Sequence, residues 1–223
     1  SIAGSKTCSI FFISANRKSL FLAIFVNLYC KNKNLLIEVY QSPINSIRNQ
    51  RILISPLNWG LGHVTRTIPI IKSLNQHNEV YICCDAEQEQ IYRHYFPEQW
   101  YVPHEGYPFR FNGKGLWMMD FIKRIGSLLE HHKQEQKKVE ELGDKFNIDL
   151  VIADQRFGFK SARTRNILIT HQVNLPLSPL FVAAQWWNKS LIRKFDEVWV
   201  PDTKNNQFAG KLSRSNHERT KFI

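Results

Sequence analysis

The chain has 223 residues, of which 43% are hydrophobic and 13% aromatic, so it can bury a sizeable core and is not disordered throughout. Its formal net charge of +11 suits an anionic partner such as a nucleic acid, a membrane surface or a phosphorylated ligand. No arginine-rich helix or zinc-finger spacing accompanies this charge, and we therefore expect no nucleic-acid partner.

The apolar runs and the cysteines indicate the cellular compartment of the protein. No uninterrupted apolar run reaches the ~20 residues that a membrane-spanning helix needs. The four cysteines have no metal-ligand spacing, and Cys83 and Cys84 lie next to each other inside an apolar run. This pattern favours free thiols and a reducing compartment, so we expect a cytoplasmic protein without a metal or a cofactor.

The first fifty residues do not share the pattern of the rest of the chain. They contain an apolar run, Leu20–Cys30, and end in the polar, turn-rich segment Ser42–Gln50, which is typical of a linker. We interpret residues 1–50 as a poorly defined extension or linker of unknown role.

From Arg51 onward, short apolar runs alternate with helical patterns. The predicted strands are Arg51–Ser55, Glu79–Cys84, Trp100–Val102, Asp149–Ala153, Asn166–Thr170 and Glu197–Val200. The predicted helices are Val64–Leu74, Glu87–Phe96, a long segment from Met118 to about Leu142, and Leu180–Phe195. The alternation predicts an α/β domain over 51–210, a Rossmann-like doubly wound parallel sheet, with 211–223 as the start of a linker.

The long helix is predicted to be amphipathic. One apolar stripe runs along Met118, Phe121, Ile122, Ile125, Leu128 and Leu129. His131 and His132 fall on its polar part, and we expect both to be solvated.

The turn after the first strand, Asn58–His63, is the best candidate for chemistry. It is no P-loop, because no Gly-Lys-Ser/Thr follows. Gly60 and Gly62 fit the start of the dinucleotide motif G-x-G-x-x-G, but Thr65 occupies the third glycine position; Asp85, after the second strand, keeps this alternative open. The glycines could instead let a phosphate or a sugar approach the backbone, or simply shape a tight turn.

Three polar residues are predicted at one edge of the sheet. His63 begins a helix, whose dipole favours a neutral imidazole that can accept a proton from a sugar hydroxyl or bind a phosphate; a helix-capping role is the alternative. Asp154 and His171 each follow a strand, and in a parallel sheet both would lie at the edge of His63. Asp154 could equally hold a histidine or cap a helix.

The segment RILISPLNWGLGHVTRTIPIIKSL resembles the opening of GT-B glycosyltransferases related to the MurG-like group, which transfers N-acetylglucosamine to a peptidoglycan precursor. It is most similar to bacterial relatives with the pattern W-G-L-G-H-x-T-R. The later segments DLVIADQRFGF, ILITHQVNLP and FDEVWVPD are similar to the same set in order and spacing. The resemblance covers Arg51 to Leu212.

The resemblance implies two Rossmann-like domains, of which the N-terminal one receives the acceptor and the C-terminal one binds a nucleotide-sugar donor. This chain would correspond to the acceptor domain, and we expect it to be inactive alone. His63 would be the catalytic residue, as a base or a phosphate contact. The substrate-binding residues would be Asn58, Gly60, Gly62, Thr65, Asp154, His171 and Gln172.

The expected partners are a nucleotide-sugar and a sugar or lipid-linked acceptor. Leu116–Leu129 and Phe181–Phe195 mix tryptophans with cations, as helices at a membrane surface do, so a peripheral contact with the inner face of the membrane is a further expectation. Two alternatives to a transferase stay open: a dinucleotide- or small-ligand-binding module, and a non-catalytic truncated fragment.

Overall fold

The computed structural model describes residues 42–107, 117–175, 182–203, 208–215 and 218–223. The apolar run Leu20–Cys30 lies outside the described residues, and so do the side chains of the first part of the predicted stripe, Met118–Ile125. No helix of the described part is long and apolar enough to cross a membrane.

Seven parallel strands form a single sheet. They are β1 (Arg51–Pro56), β2 (Glu79–Cys84), β3 (Trp100–Pro103), β4 (Leu150–Asp154), β5 (Arg165–Ile169), β6 (Glu197–Val200) and β7 (Thr220–Phe222). Their order across the sheet is β3-β2-β1-β4-β5-β6-β7. The predicted Rossmann-like α/β fold with a doubly wound parallel sheet is therefore confirmed, and β7 is an additional strand at the edge.

Within the described ranges, four α-helices lie between strands and cover both faces of the sheet. They are α1 (Leu61–Leu74), α2 (Ala86–Tyr95), α3 (Trp117–Phe146) and α4 (Val182–Ile192). Side chains of α1 and α2 pack on one face, and those of α3 on the other. Ile52 and Ile54 of β1 face the first layer, whereas Leu53 between them faces the second. Because both faces are buried, the strands are apolar without interruption.

The segment predicted as a linker takes part in this core. Pro43–Ser46 forms a 3-10 helix, and Ile47 is buried beside Ile52 and the residues of α1. The domain boundaries at residues 50 and 210 stay a prediction.

The pattern predicted for α3 is wrong at three positions, which are the stripe residue Leu129 and the two histidines predicted to be solvated, His131 and His132. Leu128 is buried, as expected for the stripe, but Leu129 is 42% exposed. His132 is buried and its Nε2 lies 3.0 Å from the hydroxyl of Tyr107, while His131 is half-buried with its ring 4.8 Å from that of Tyr107. The reason is that α3 turns polar side chains, and not only its apolar stripe, towards the loops that follow β3 and β4.

A buried ion pair joins α3 to the end of β4. Arg156 Nε donates to Glu135 Oε1 at 2.7 Å, and His104 Nε2 lies 3.3 Å from the same oxygen. All three side chains are buried. Burial by itself would raise the pKa of Glu135, but Arg156 and His104 outweigh it and lower the pKa to about 2.

Replacing Arg156 by methionine should therefore destabilise the fold strongly. The change leaves a buried carboxylate without its cation, and the expected loss in free energy of unfolding, measured by urea denaturation, is about 3–5 kcal/mol. The double variant Arg156→Met/Glu135→Leu should regain much of this loss, because no unpaired charge remains. Arg163→Met, which breaks the exposed ion pair with Asp144, is the control and should change little. Equal losses for both single variants would contradict the role assigned to Arg156.

Candidate active site

The candidate site lies where the strand order reverses. The chain runs from β1 outward to β2 and β3, and then returns to place β4 on the other side of β1. The carboxyl ends of β1 and β4 are neighbours, since Pro56 and Asp154 are paired in register. In open α/β sheets, ligands bind outside the carboxyl ends of the strands at such a switch point.

The loop between β1 and α1 is shaped by Gly60. This residue is the N-cap of α1 and has φ 116° and ψ 171°, a conformation that is essentially restricted to glycine. Gly62 lies in the first turn of α1 and is exposed. No side chain caps this helix end. Its first amide groups are therefore available to an oxygen or an anion that approaches the loop.

His63 and Asp154 form a hydrogen-bonded pair at this edge. His63 Nδ1 lies 2.9 Å from Asp154 Oδ2, and the Asp154 side chain is fully buried whereas that of His63 is 17% exposed. An ionised carboxylate only accepts hydrogen bonds, so this contact favours the tautomer with the proton on Nδ1. The Nε2 atom of His63 then carries the lone pair.

Arg66 completes the cluster, and the sequence analysis did not select it. Its Nε donates to Asp154 Oδ2 at 3.0 Å, and its Nη2 donates to Asp154 Oδ1. Arg66 Nη2 also lies 2.7 Å from His63 Nδ1. Because arginine is a donor only, this second contact favours a His63 Nδ1 that accepts, whereas the contact with Asp154 favours an Nδ1 that donates.

His171 is the second imidazole of the cluster. It follows β5, and its Nδ1 lies 3.1 Å from Arg66 Nη1. Arginine is a donor only, so His171 Nδ1 must accept and its proton must sit on Nε2. Burial lowers the pKa of His171, and the positive charge of Arg66 lowers it further, so His171 is held neutral.

The remaining predicted residues make other contacts, none of them a hydrogen bond to the cluster among the described residues. Gln172 accepts a hydrogen bond from Gln155 at 3.1 Å, next to His171. Thr65 is exposed, and its hydroxyl donates to the carbonyl of Gly62 at 3.3 Å. Asn58 accepts a hydrogen bond from the amide of Tyr107 at 3.2 Å. Its side chain lies against Gly106, where an added Cβ would come within 1.6 Å of Asn58 Nδ2.

The structure thus brings His63, Asp154 and His171 together, as expected for one sheet edge. Asp154 lies behind His63, with both carboxylate oxygens occupied, instead of on the surface. Arg66 could have been found from the sequence, because it is three residues after His63 and therefore on the same face of α1. In the described part of the chain, no three His, Cys, Asp or Glu side chains are arranged so that they could hold a metal ion.

Asp85 lies at the end of β2, where a dinucleotide-binding fold would use an acidic residue to bind ribose. Here its Oδ1 accepts from the amide of Gln88 at 2.9 Å, and the two residues form a capping box at the start of α2. A structural role therefore accounts for this residue.

A shallow surface depression lies at the opposite edge of the sheet. Its lining includes Gln50, Arg51, His77 and Glu79, at the amino ends of β1 and β2. None of the residues of the cluster lies there, and we place the candidate site at the carboxyl edge.

No family model and no curated protein matches this sequence. Solved structures do match the fold. The glycotransferase of kitacinnamycin superposes with a TM-score of 0.54 at 12% identity, covering 79% of this chain and 51% of that one. LpCGTa, solved in complex with UDP, gives a TM-score of 0.50 at 10% identity, covering 78% and 53%.

These likenesses show that the chain shares its α/β fold with about half of each of these two proteins. At such low sequence identity, the superpositions establish a similarity of fold and no similarity of function. The chain spans about half the length of the two solved proteins. The relationship to the MurG-like group and the significance of the W-G-L-G-H-x-T-R pattern stay predictions.

The two loop glycines provide a test of the geometry. At both positions an added Cβ would meet no atom within 4 Å, so any difference between the variants must come from the backbone. Gly60→Ala should cost about 1–3 kcal/mol in free energy of unfolding, because alanine is strained at φ 116°. Gly62→Ala should be neutral or stabilise α1 by up to ~1 kcal/mol. Denaturation curves of the two variants measure this, and equal stabilities would argue against the loop conformation.

Proposed function

We propose that this domain is the acceptor-binding half of a glycosyltransferase that moves a sugar from a nucleotide-sugar to a hydroxyl group of a sugar or lipid-linked acceptor. The observation that carries the proposal is the His63–Asp154 pair at the switch point. Asp154 fixes the tautomer of His63, so that Nε2 can accept a proton from a bound hydroxyl. The fold shared with glycosyltransferases supports this choice of reaction.

In the proposed reaction, the acceptor oxygen bonds to the anomeric carbon of the donor while the bond from that carbon to the diphosphate breaks. The acceptor proton goes to His63 Nε2, and the bonding electrons leave with the nucleoside diphosphate. Asp154 stabilises the imidazolium that forms and is not itself protonated. No metal or cofactor takes part in these steps.

The loop residues would bind the substrates around this centre. Gly60 and Gly62 would let the ligand approach the amide groups at the start of α1. Asn58, Thr65 and Gln172 would provide polar contacts next to the two imidazoles. Asp154 acts through His63 and Arg66, because its oxygens face those side chains and no solvent.

The donor nucleotide would bind to a second domain, outside the part described here. This expectation rests on the chain spanning about half of the solved glycosyltransferases it matches. We therefore expect the 223-residue chain alone to transfer no sugar, because catalysis needs donor and acceptor held in attack geometry. The experiment is a transfer assay with a panel of nucleotide-sugars, on the protein translated from its complete reading frame and on this chain.

In the active protein, His63→Ala should lower kcat/KM by about 10²- to 10⁴-fold, because the general base is lost. Asp154→Asn should lower it by a similar factor, since the amide no longer fixes the Nδ1–H tautomer. His77→Ala, an exposed histidine at the opposite edge, is the control and should keep full activity. Unchanged activity of His63→Ala would remove the catalytic role from His63.

A small-ligand or dinucleotide-binding module is the alternative, and it predicts a different result. Calorimetric titration of the chain with nicotinamide and flavin dinucleotides would then release heat. We expect none, because Asp85 caps α2. A truncated, non-catalytic fragment would show neither this heat nor transfer by the complete protein.

We also propose that the domain meets a membrane surface next to the site. Trp186 and Val182 at the start of α4 and Leu61 after β1 are exposed apolar residues that follow carboxyl ends of strands. Lys189 and Arg193 lie in the next turns after Trp186. Such a mixture suits the interface of an anionic bilayer.

Binding to anionic lipid vesicles tests this contact. Trp186→Glu should weaken sedimentation with the vesicles by about 10-fold, because a large apolar side chain contributes ~1.5–3 kcal/mol when buried. Trp100→Glu, at an exposed tryptophan of β3, is the matched control. Equal binding of both variants and the unmodified protein would exclude this surface.

A further inference from the structure

Both imidazoles of the site contact Arg66, and His63 also contacts Asp154. His63 Nδ1 lies 2.9 Å from the carboxylate of Asp154, which accepts, and 2.7 Å from Arg66 Nη2, which donates, so the two partners compete for this nitrogen. His171 Nδ1 faces the guanidinium of Arg66 at 3.1 Å, so this nitrogen accepts. Among the described residues, neither Nε2 atom has a hydrogen-bond partner.

We propose that Asp154 decides the tautomer of His63 and that Arg66 is a positioning residue that decides the tautomer of His171. The two rings then form a complementary pair, in which His63 Nε2 offers a lone pair and His171 Nε2–H offers a hydrogen-bond donor to the bound ligand. The pair suits a ligand that gives a proton and accepts a hydrogen bond on a second oxygen. A sugar with neighbouring hydroxyls has this chemistry, and so has a hydroxyl bound beside a phosphate oxygen. This ligand class rests on the proposed function, whereas the two tautomers do not.

The guanidinium of Arg66 is fixed in orientation by Asp154. Asp154 accepts from both Nε and Nη2 of Arg66, a forked arrangement that fixes the plane of the guanidinium. The third nitrogen, Nη1, then points at His171. A lysine at this position could neutralise Asp154, but it could not supply the planar fork that reaches both groups.

His171 is held by its own turn. The amide of Thr170 donates to the carbonyl of Trp199 at 2.9 Å, and the amide of Gln172 donates to the hydroxyl of Thr170 at 2.9 Å. The carbonyl of Gln172 accepts from Asn188 of α4 at 3.1 Å. The backbone on both sides of His171 is therefore fixed to β6 and α4.

The charges around His171 agree with a neutral ring. Arg66 and His63 of α1 lower its pKa in addition to burial, whereas Asp154 of β4 and Asp202 after β6 raise it. The net direction is downward. Loss of Arg66 removes a cation and leaves Asp154 less neutralised, and both changes act to raise the pKa of His171.

The experiment is nitrogen NMR of the imidazole rings in the full ¹⁵N-labelled chain, with His63→Asn and His171→Asn used to assign the two residues. At neutral pH we expect an Nδ1–H ring for His63 and an Nε2–H ring for His171. In Arg66→Gln the titration midpoint of His171 should move upward and its single tautomer should be lost. Arg66→Lys should keep a low midpoint but lose the single tautomer. Arg163→Gln, an exposed arginine, is the control and should change neither.

An Nε2–H ring for His63, an Nδ1–H ring for His171, or an unchanged tautomer and midpoint in a folded Arg66→Gln variant would overturn the proposal. Thermal unfolding of each variant separates these results from a loss of structure, and if Arg66→Gln does not fold, the Arg66→Lys spectrum decides in the same way.

Two probes then identify the source of the ligand oxygen. Methyl glucoside shifting the Nε2 signals of both histidines would support a sugar, and inorganic pyrophosphate shifting that of His171 would support a phosphate oxygen. If neither probe shifts the His171 signal, its role as a ligand donor is overturned. The proposed transfer function would survive that result, because it is judged by the transfer assay and by His63→Ala.

Discussion

The buried carboxylate of Asp154 is the constraint on which the site depends. A carboxylate without exposed surface at the end of a central strand is costly unless charged and hydrogen-bonding groups surround it. Both groups that satisfy it, His63 and Arg66, come from the first turns of α1. The helix must therefore begin directly above the end of β4, and the glycine conformation at Gly60 lets the chain turn tightly enough to do so.

A second buried charge performs the same task on the other face of the sheet. In β4, Ile152 packs on the α1 face and Val151 on the α3 face, so alternation would put Asp154 and Arg156 together on the α1 side. Gln155 has φ 57°, which breaks the alternation. Arg156 is therefore turned towards Glu135 of α3. The two charged residues at the end of β4 thus hold different layers, since Asp154 binds side chains of α1 and Arg156 binds a side chain of α3.

The sequence predicted the elements that depend on apolar patterns. The second and sixth strands, Glu79–Cys84 and Glu197–Val200, have the predicted bounds, because buried parallel strands are continuous apolar runs. The apolar pattern could not predict β7, because its sequence Thr-Lys-Phe is half-exposed and mixed in polarity. It also could not predict the burial of His132, because a polar residue on a helix is expected to face solvent unless a buried hydrogen-bond partner is known. The edge shared by His63, Asp154 and His171 followed from topology. Their contacts depend on Arg66, which ends the W-G-L-G-H-x-T-R pattern but is not among the predicted site residues.

The charges of the cluster also suit the proposed reaction. Arg66 and Asp154 neutralise each other, so the site carries no net charge while both imidazoles are neutral. When His63 takes the acceptor proton, the cluster gains one positive charge at the moment when negative charge grows on the leaving diphosphate. A neutral resting site can bind an uncharged hydroxyl, and its protonated form attracts the departing anion in a partly water-excluded place, where such interactions are strong. Burial and the positive charge of Arg66 lower the pKa of His171, and this keeps the gain in charge on His63.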